Sequence, residues 1–438
     1  MLIFITLVAI IVVAFFVLSR GKKSPNKSNN KLNTSLIDDN NIKIVHVTDI
    51  HYLAPSLSDY GRSFVETIEK SDGKMMRYID QIMDAFILEM VRTKPDLVIV
   101  SGDMTYNGEK ESHIGLANKF KILKDKGIKV LVLPGNHDLE NERALAFEAD
   151  TTRPVDTVSL REFEEIYSDY GYGKDDPNVV SRDKKSLNYV YQLGNKCHLL
   201  MVETSTKGND QTISKSSYRW IERCLKNAKD MNMRVIGVSH QNILAHNKLF
   251  IAGYKITNSS RLVDLYNKYN VRINLSGHMH IQHMAEHKRV HDIALACLGL
   301  YPNLYGVLDM DLRNNMTYHT ESLDVAYWMK KYKHQDQALL DFENTCREYF
   351  IRCTRLQTEK QLDKLDLSKE DKEMMMDFMV DTNIHYFSGS LDKRPDLCLD
   401  NPAYKLWMDH CERTFTGSYL NSIYTDTISD HNRLEIFQ

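Results

Sequence analysis

Residues 270–284 read NVRINLSGHMHIQHM. An apolar run from Val271 to Leu275 stops at Ser276-Gly277, and His278 and His280 follow with one methionine between them. Alternate side chains of an extended segment point the same way, so the two imidazoles share a face. A glycine ahead of them lets the backbone turn sharply and come close to a ligand. A strand that ends in this way is built to present nitrogen donors.

Four other apolar runs end in the same kind of residue. Residues 42–47 (IKIVHV) lead into Thr48-Asp49-Ile50-His51, and residues 97–101 (LVIVS) into Gly102-Asp103. Residues 128–134 (IKVLVLP) lead into Gly135-Asn136-His137-Asp138, and residues 234–239 (RVIGVS) into His240-Gln241-Asn242. Between them the spacing predicts helices over about 75–91 and 111–126. A third helix is predicted to start at Ser159, with Glu162 as the partner of a capping box, and to run to Tyr170-Gly171. Residues 188–203 alternate as a hairpin does, and 293–297 and 305–311 read as further strands. Short strands alternating with helices define an α/β fold. Ligands of such sheets bind at the C-terminal ends of the strands, where these five blocks stand. Carboxylate and imidazole donors suit Mn, Fe or Zn, whereas an all-oxygen cage suits Mg or Ca. No block contains cysteine, which argues against a thiolate site.

In this order the five blocks resemble the motifs of the calcineurin-like metallophosphoesterase family, over about residues 42–320. The resemblance implies two packed mixed β-sheets flanked by helices. It implies two divalent metal ions, one bound by Asp49, His51 and His280 and the other by Asn136, His240 and His278, with Asp103 bridging them. His137 is implied to be no ligand but the catalytic residue that protonates the leaving oxygen or stabilises phosphoryl charge. The implied activity is metal-dependent hydrolysis of phosphomono- or phosphodiesters by a metal-bridging hydroxide, on a small-molecule or lipid substrate. A nuclease of the same family is the alternative, and a non-catalytic metal-binding scaffold is disfavoured because every position is filled. Tyr106, Asn107 and His246 stand near the motifs and read as turn or scaffold residues before substrate contacts. His283, His287 and His291 run through a turn into a strand and receive no role. Segments 52–74 and 139–187 are insertions beside the site, where loops set substrate choice.

The formal charge of −3 provides no global basic field, so duplex nucleic acid is not an expected partner. With 42% hydrophobic residues a large core is expected. Residues 2–18 are uniformly apolar and are expected, within a segment 1–19, to remain as a single-pass anchor or uncleaved signal. That places the protein at a cell membrane. The catalytic domain is expected outside the cytoplasm, although Arg20, Lys22, Lys23, Lys27 and Lys31 would by the positive-inside rule keep it within. Residues 20–41, rich in Asn, Ser and Lys, read as a flexible tether. The catalytic domain then spans 42–321, and 322–438 is a mainly helical C-terminal region. There are seven cysteines, of which Cys346, Cys353, Cys398 and Cys411 cluster near the C-terminus and could pair if exported. The sequence carries no signal of oligomeric state.

Overall fold

The computed structural model describes residues 41–437 apart from 70–72, 206–210, 312, 314, 333, 427 and 429. A six-stranded sheet runs, in spatial order, Arg433–Ile436, Met316–Ser322, Leu304–Asp311, Asn41–Val47, Leu97–Ser101, Lys129–Leu133. Its last three strands are parallel, because the helices Ile79–Thr93 and Lys110–Asp125 carry the chain back between them. A seven-stranded sheet runs His283–His287, Val290–Ala294, Ile273–Ser276, Arg234–Ser239, Cys197–Val202, Tyr189–Leu193, Val179–Arg182. Four consecutive strands in it, from Val290–Ala294 to Cys197–Val202, are parallel.

One buried cluster joins Val45, Val47, Val98 and Val100 of the first sheet to Leu199, Met201, Ile236, Val238 and Leu275 of the second. The outer face of the second sheet is covered as well. Leu200 and Val202 pack with Ile221 and Leu225 of helix Lys215–Asp230 and with Leu262 and Tyr266 of helix Ser259–Tyr269. Strands covered on both faces read as unbroken apolar runs, and that is how their ends are visible in the sequence. The fold is mixed α/β, two packed mixed sheets flanked by helices.

The first crossover helix begins at Ile79, not at Met75, because Met76–Tyr78 form a 3-10 turn ahead of it. The insertion at 139–187 carries a hairpin, Leu145–Glu148 with Thr151–Pro154. Its helix Leu160–Ile166 is capped as expected, with Ser159 and Glu162 satisfying each other's backbone N–H groups. Beyond Ser322 come the helices Val325–Lys331, Phe342–Leu362, Lys369–Phe387, Pro402–Cys411 and Phe415–Tyr424. They pack onto the sheets: Cys297 and Leu300 share a buried cluster with Phe350, Met375, Trp407 and Leu420. A strand outside the sequence reading closes the chain, where Arg433–Ile436 pairs antiparallel with Met316–Ser322 and covers its edge.

Two expectations are corrected. Among the described residues no disulfide is formed, so Cys346, Cys353, Cys398 and Cys411 are not bridged to one another. The anchor expected at residues 1–19, and the tether up to residue 40, lie outside the described residues. Among the described residues no helix is long and apolar enough to cross a membrane. The placement at a cell membrane through a single-pass span is therefore withdrawn, and the membrane with it as a partner.

Candidate active site

Where the strands end, the backbone is bent in an uncommon way. Asp49, His51, Asp103, His278 and His280 have φ of 49°, 50°, 46°, 70° and 57°. Such conformations of non-glycine residues cost of order 1–3 kcal/mol each and persist only where the surroundings impose them. Here they do. Asp49 N–H donates to the Gly102 carbonyl at 3.0 Å, His51 N–H to Asp103 at 2.9 Å and Gly277 N–H to His240 at 3.0 Å. His278 N–H donates to Asp49 Oδ2 at 2.8 Å, tying the first strand's end to the GHMH turn. A Cβ on Gly277 would run into Thr48 Oγ1 and Asp49 Oδ2, and one on Gly102 into the His240 ring. Both glycines are required by close approach.

The side chains fall into two groups that share one residue. The ligand atoms of Asp49, His51, Asp103 and His280 lie within 4.8 Å of one another, as do those of Asp103, His240 and His278. Asp103 Oδ2 is 3.3 Å from His240 Nε2 and 3.9 Å from His51 Nε2. Asn136 joins the second group, its Oδ1 3.0 Å from His240 Nε2. His137 stands beside both. Its N–H donates to Asp103 Oδ1 at 2.8 Å, and its Nε2 is 3.9 Å from Asp103 Oδ2. Its Nδ1 faces the Tyr106 carbonyl at 2.8 Å and Asn107 Oδ1 at 2.9 Å, two acceptors that require the proton there.

The hydrogen bonds on the far side of each ring show what the near side offers. His240 Nδ1 donates to the Ser101 carbonyl at 2.9 Å, and His278 Nε2 donates to the Gly253 carbonyl at 2.8 Å. In the neutral rings, His240 Nε2 and His278 Nδ1 then carry lone pairs, and these face each other at 3.2 Å. His51 Nε2 and His280 Nε2 lie 3.1 Å apart. Asp49 Oδ1, fully buried, has no hydrogen-bond partner and lies 3.2 Å from His280 Nε2. Opposed lone pairs beside buried carboxylates repel unless a cation stands among them. The residues therefore fit two divalent metal ions, and backbone carbonyls fix the outer nitrogens of His240 and His278.

Electrostatics agree. Burial alone would lower the His240 pKa, but the Asp103 and Asp49 carboxylates override it and lift it to about 9. Burial likewise opposes ionisation of Asp103, yet the His240, His137 and His51 rings hold its pKa well below the carboxylate range. His278 is pushed down to about 4, by burial first and by His240 second. His51 is lowered by burial and then by the charge of Lys74, a buried residue that no motif contains. A field strong enough to hold a proton on His240 at neutral pH also holds a metal cation.

Asp138, part of the third block but given no role from sequence, is a clamp. Its Oδ1 accepts from Thr105 N–H and Oγ1, both at 2.9 Å, and its Oδ2 from Gly135 N–H at 2.7 Å and Met104 N–H at 3.2 Å. It thereby sets the Asp103 turn against the Asn136 turn. Tyr106 and Asn107 orient His137. His246 belongs elsewhere: its Nδ1 is 3.1 Å from His283 Nδ1, and His283 Nε2 donates to Asp426 Oδ2 at 2.5 Å.

The calcineurin-like phosphoesterase model matches residues 42–282, and the chain belongs to that family. It is a metal-dependent hydrolase of phosphoric ester bonds. A second model, the C-terminal domain of cyclic nucleotide phosphodiesterase, matches residues 324–430. A Xenorhabdus bovienii protein described as a probable cyclic nucleotide phosphodiesterase is 23% identical over 255 residues, 57% of this chain and 83% of that one. Among solved structures, a dimetal phosphatase from Danio rerio aligns with a TM-score of 0.46 at 11% identity, covering 64% of this chain and 96% of the other. A purple acid phosphatase from yellow lupin (Lupinus luteus) seeds aligns with a TM-score of 0.39 at 12% identity, covering 64% and 51%.

Proposed function

We propose that this chain hydrolyses small-molecule phosphodiesters, with cyclic nucleotides as the favoured class. Asp49, His51 and His280 would hold one ion, Asn136, His240 and His278 the other, with Asp103 shared. The observation that carries this is the opposed pair His240 Nε2 and His278 Nδ1, 3.2 Å apart, with each ring's other nitrogen committed to a carbonyl. The mixed imidazole and carboxylate donor set favours Mn, Fe or Zn. When bound, the ions supply Lewis acidity, polarising phosphoryl oxygens and making water nucleophilic near neutral pH.

The chain's own residues do the rest. His137 has its Nδ1–H tied to Tyr106 and Asn107, so Nε2, when the ring carries a second proton there, is the atom that passes it to the leaving oxygen and is left with its lone pair. Asp138 keeps His137 and Asp103 in mutual register through the turns it clamps. We treat 42–321 as the catalytic domain and 322–438 as a helical region that adds to it. The cyclic nucleotide class is supported by the match over 324–430 and by the Xenorhabdus relative.

The test is a panel of phosphomonoesters, cyclic nucleotides and phospholipid diesters, each with Mn, Fe, Zn and Mg. Turnover of cyclic nucleotides ahead of the others is expected. Activity on monoesters alone would overturn the diester reading.

A further inference from the structure

Beside His278 and His280 opens a cavity of about 420 Å³ whose far wall is made by the C-terminal helices. That volume falls in the range of about 300–1,000 Å³ common to small-molecule sites. We propose that this cavity is a nucleobase pocket, in which Tyr254 and Phe415 stack on the base and Asn383 and Gln361 read its edge. The assignment rests on the phosphodiesterase reading above and adds the part of the substrate that does not react.

Aromatic rings lead from the metal-ligand turn to the C-terminal helices. The Tyr254 ring lies 5.5 Å from the His278 ring, Phe250 lies 5.1 Å from Tyr254, and Phe415 lies 6.1 Å from Phe250. The loop carrying Tyr254 is fixed to the metal-ligand turn by the bond from His278 Nε2 to the Gly253 carbonyl. Phe415 is 66% exposed at the mouth of the cleft, with the rest of its ring against Phe250 and Tyr419. Such a ring gains from a flat, uncharged partner, and every base offers one.

The polar part of the lining has its own logic. The Tyr419 hydroxyl donates to Asn383 Oδ1 at 2.8 Å, and the Thr416 hydroxyl donates to Gln361 Oε1. With each amide oxygen engaged, the NH₂ group is the donor each side chain presents to a ligand. Among the described residues no Lys, Arg, Asp or Glu lines the cavity. A lipid tail would leave these amides unsatisfied, and a second phosphate would find no cationic side chain. A base, planar and edged with acceptors, satisfies both the rings and the amides.

The experiment compares a purine cyclic nucleotide with the same cyclic ribose phosphate carrying an O-methyl group in place of the base, followed by phosphorus NMR. In Phe415→Ala the ratio of the two kcat/KM values should fall about tenfold, the scale of one base–aromatic stack, and Phe415→Trp should restore it. Tyr254→Ala should lower the ratio in the same sense. An unchanged ratio overturns the proposal, whichever rate moved. Calorimetry with adenosine separates this idea from the reaction itself, because a nucleoside has no phosphate to hydrolyse. Binding that weakens about tenfold in Phe415→Ala supports the pocket even if the panel above finds no diesterase activity. No adenosine binding by the wild-type protein overturns the pocket while leaving the phosphoesterase reading intact.

Discussion

The protein gathers histidines and carboxylates in two places, and the proton positions separate them. Around Asp103, the neutral rings of His240 and His278 present lone pairs to each other, because their other nitrogens donate to carbonyls. Around Asp426 the donors and acceptors match once His246 Nδ1 donates to His283 Nδ1, 3.1 Å away. Met284 N–H donates to His431 Nδ1 at 3.0 Å, His283 Nε2 donates to Asp426, and the His283 and His431 rings stack at 3.9 Å. His431 Nδ1 is an acceptor there, so its Nε2 carries the proton, and it faces Asp426 Oδ2 at 3.5 Å. The first cluster fits cations between its rings and carboxylates. The second is complete as a clasp that pins the chain's end to the strand His283–His287. Residue type alone would call both metal sites; the tautomers distinguish them.

The sharpest way to break this contrast is at the shared ligand. Asp103→Ala should abolish turnover, by about 10³-fold or more, and empty both ion positions, since one carboxylate serves two cations. Metal content measured beside activity decides it, and two retained ions would refute the shared role. Next, His137→Ala should keep both ions and lose about 10²–10⁴-fold in turnover, the usual contribution of a general acid. The loss should be largest for alkoxide leaving groups and should shrink for a nitrophenolate, which leaves without a proton.

A smaller effect follows from His240. Its pKa of about 9 in the ion-free protein means that it holds a proton at pH 7, and an incoming ion must displace that proton. Metal affinity should therefore rise with pH, by up to about tenfold per unit, and level off above about pH 9. Calorimetry in buffers of different ionisation heat should read proton release at pH 7. Smallest is the clasp. Asp426→Asn should lower the melting temperature by about 2–4 °C, the scale of one lost charged hydrogen bond in a large domain. Its metal content should not change.

Much of the site is legible in the sequence for a physical reason. Strands covered on both faces read as unbroken apolar runs, so the polar residue that ends each one stands out, and order along the chain supplies the rest. What escapes is whatever depends on partners far apart in sequence. Asp138 has no role until its four hydrogen bonds to the neighbouring turns are seen. His283 sits close to the motifs, yet faces Asp426 and His431 near the far end of the chain, and His246 faces His283 and Asp292. Arg433–Ile436 is too short for its alternation to register, and Phe415 is one exposed aromatic among helices until the fold brings it to Phe250. The apolar N-terminal run is the converse case, a strong local signal that did not carry the placement drawn from it.

The most direct test is a crystal of the protein grown with Mn and measured at the metal's absorption edge. The account predicts two anomalous peaks. One would lie among Asp49, His51 and His280, the other among Asn136, His240 and His278, both touching Asp103, with none at His283, Asp426 and His431. A single peak, or an ion in the clasp, would contradict it.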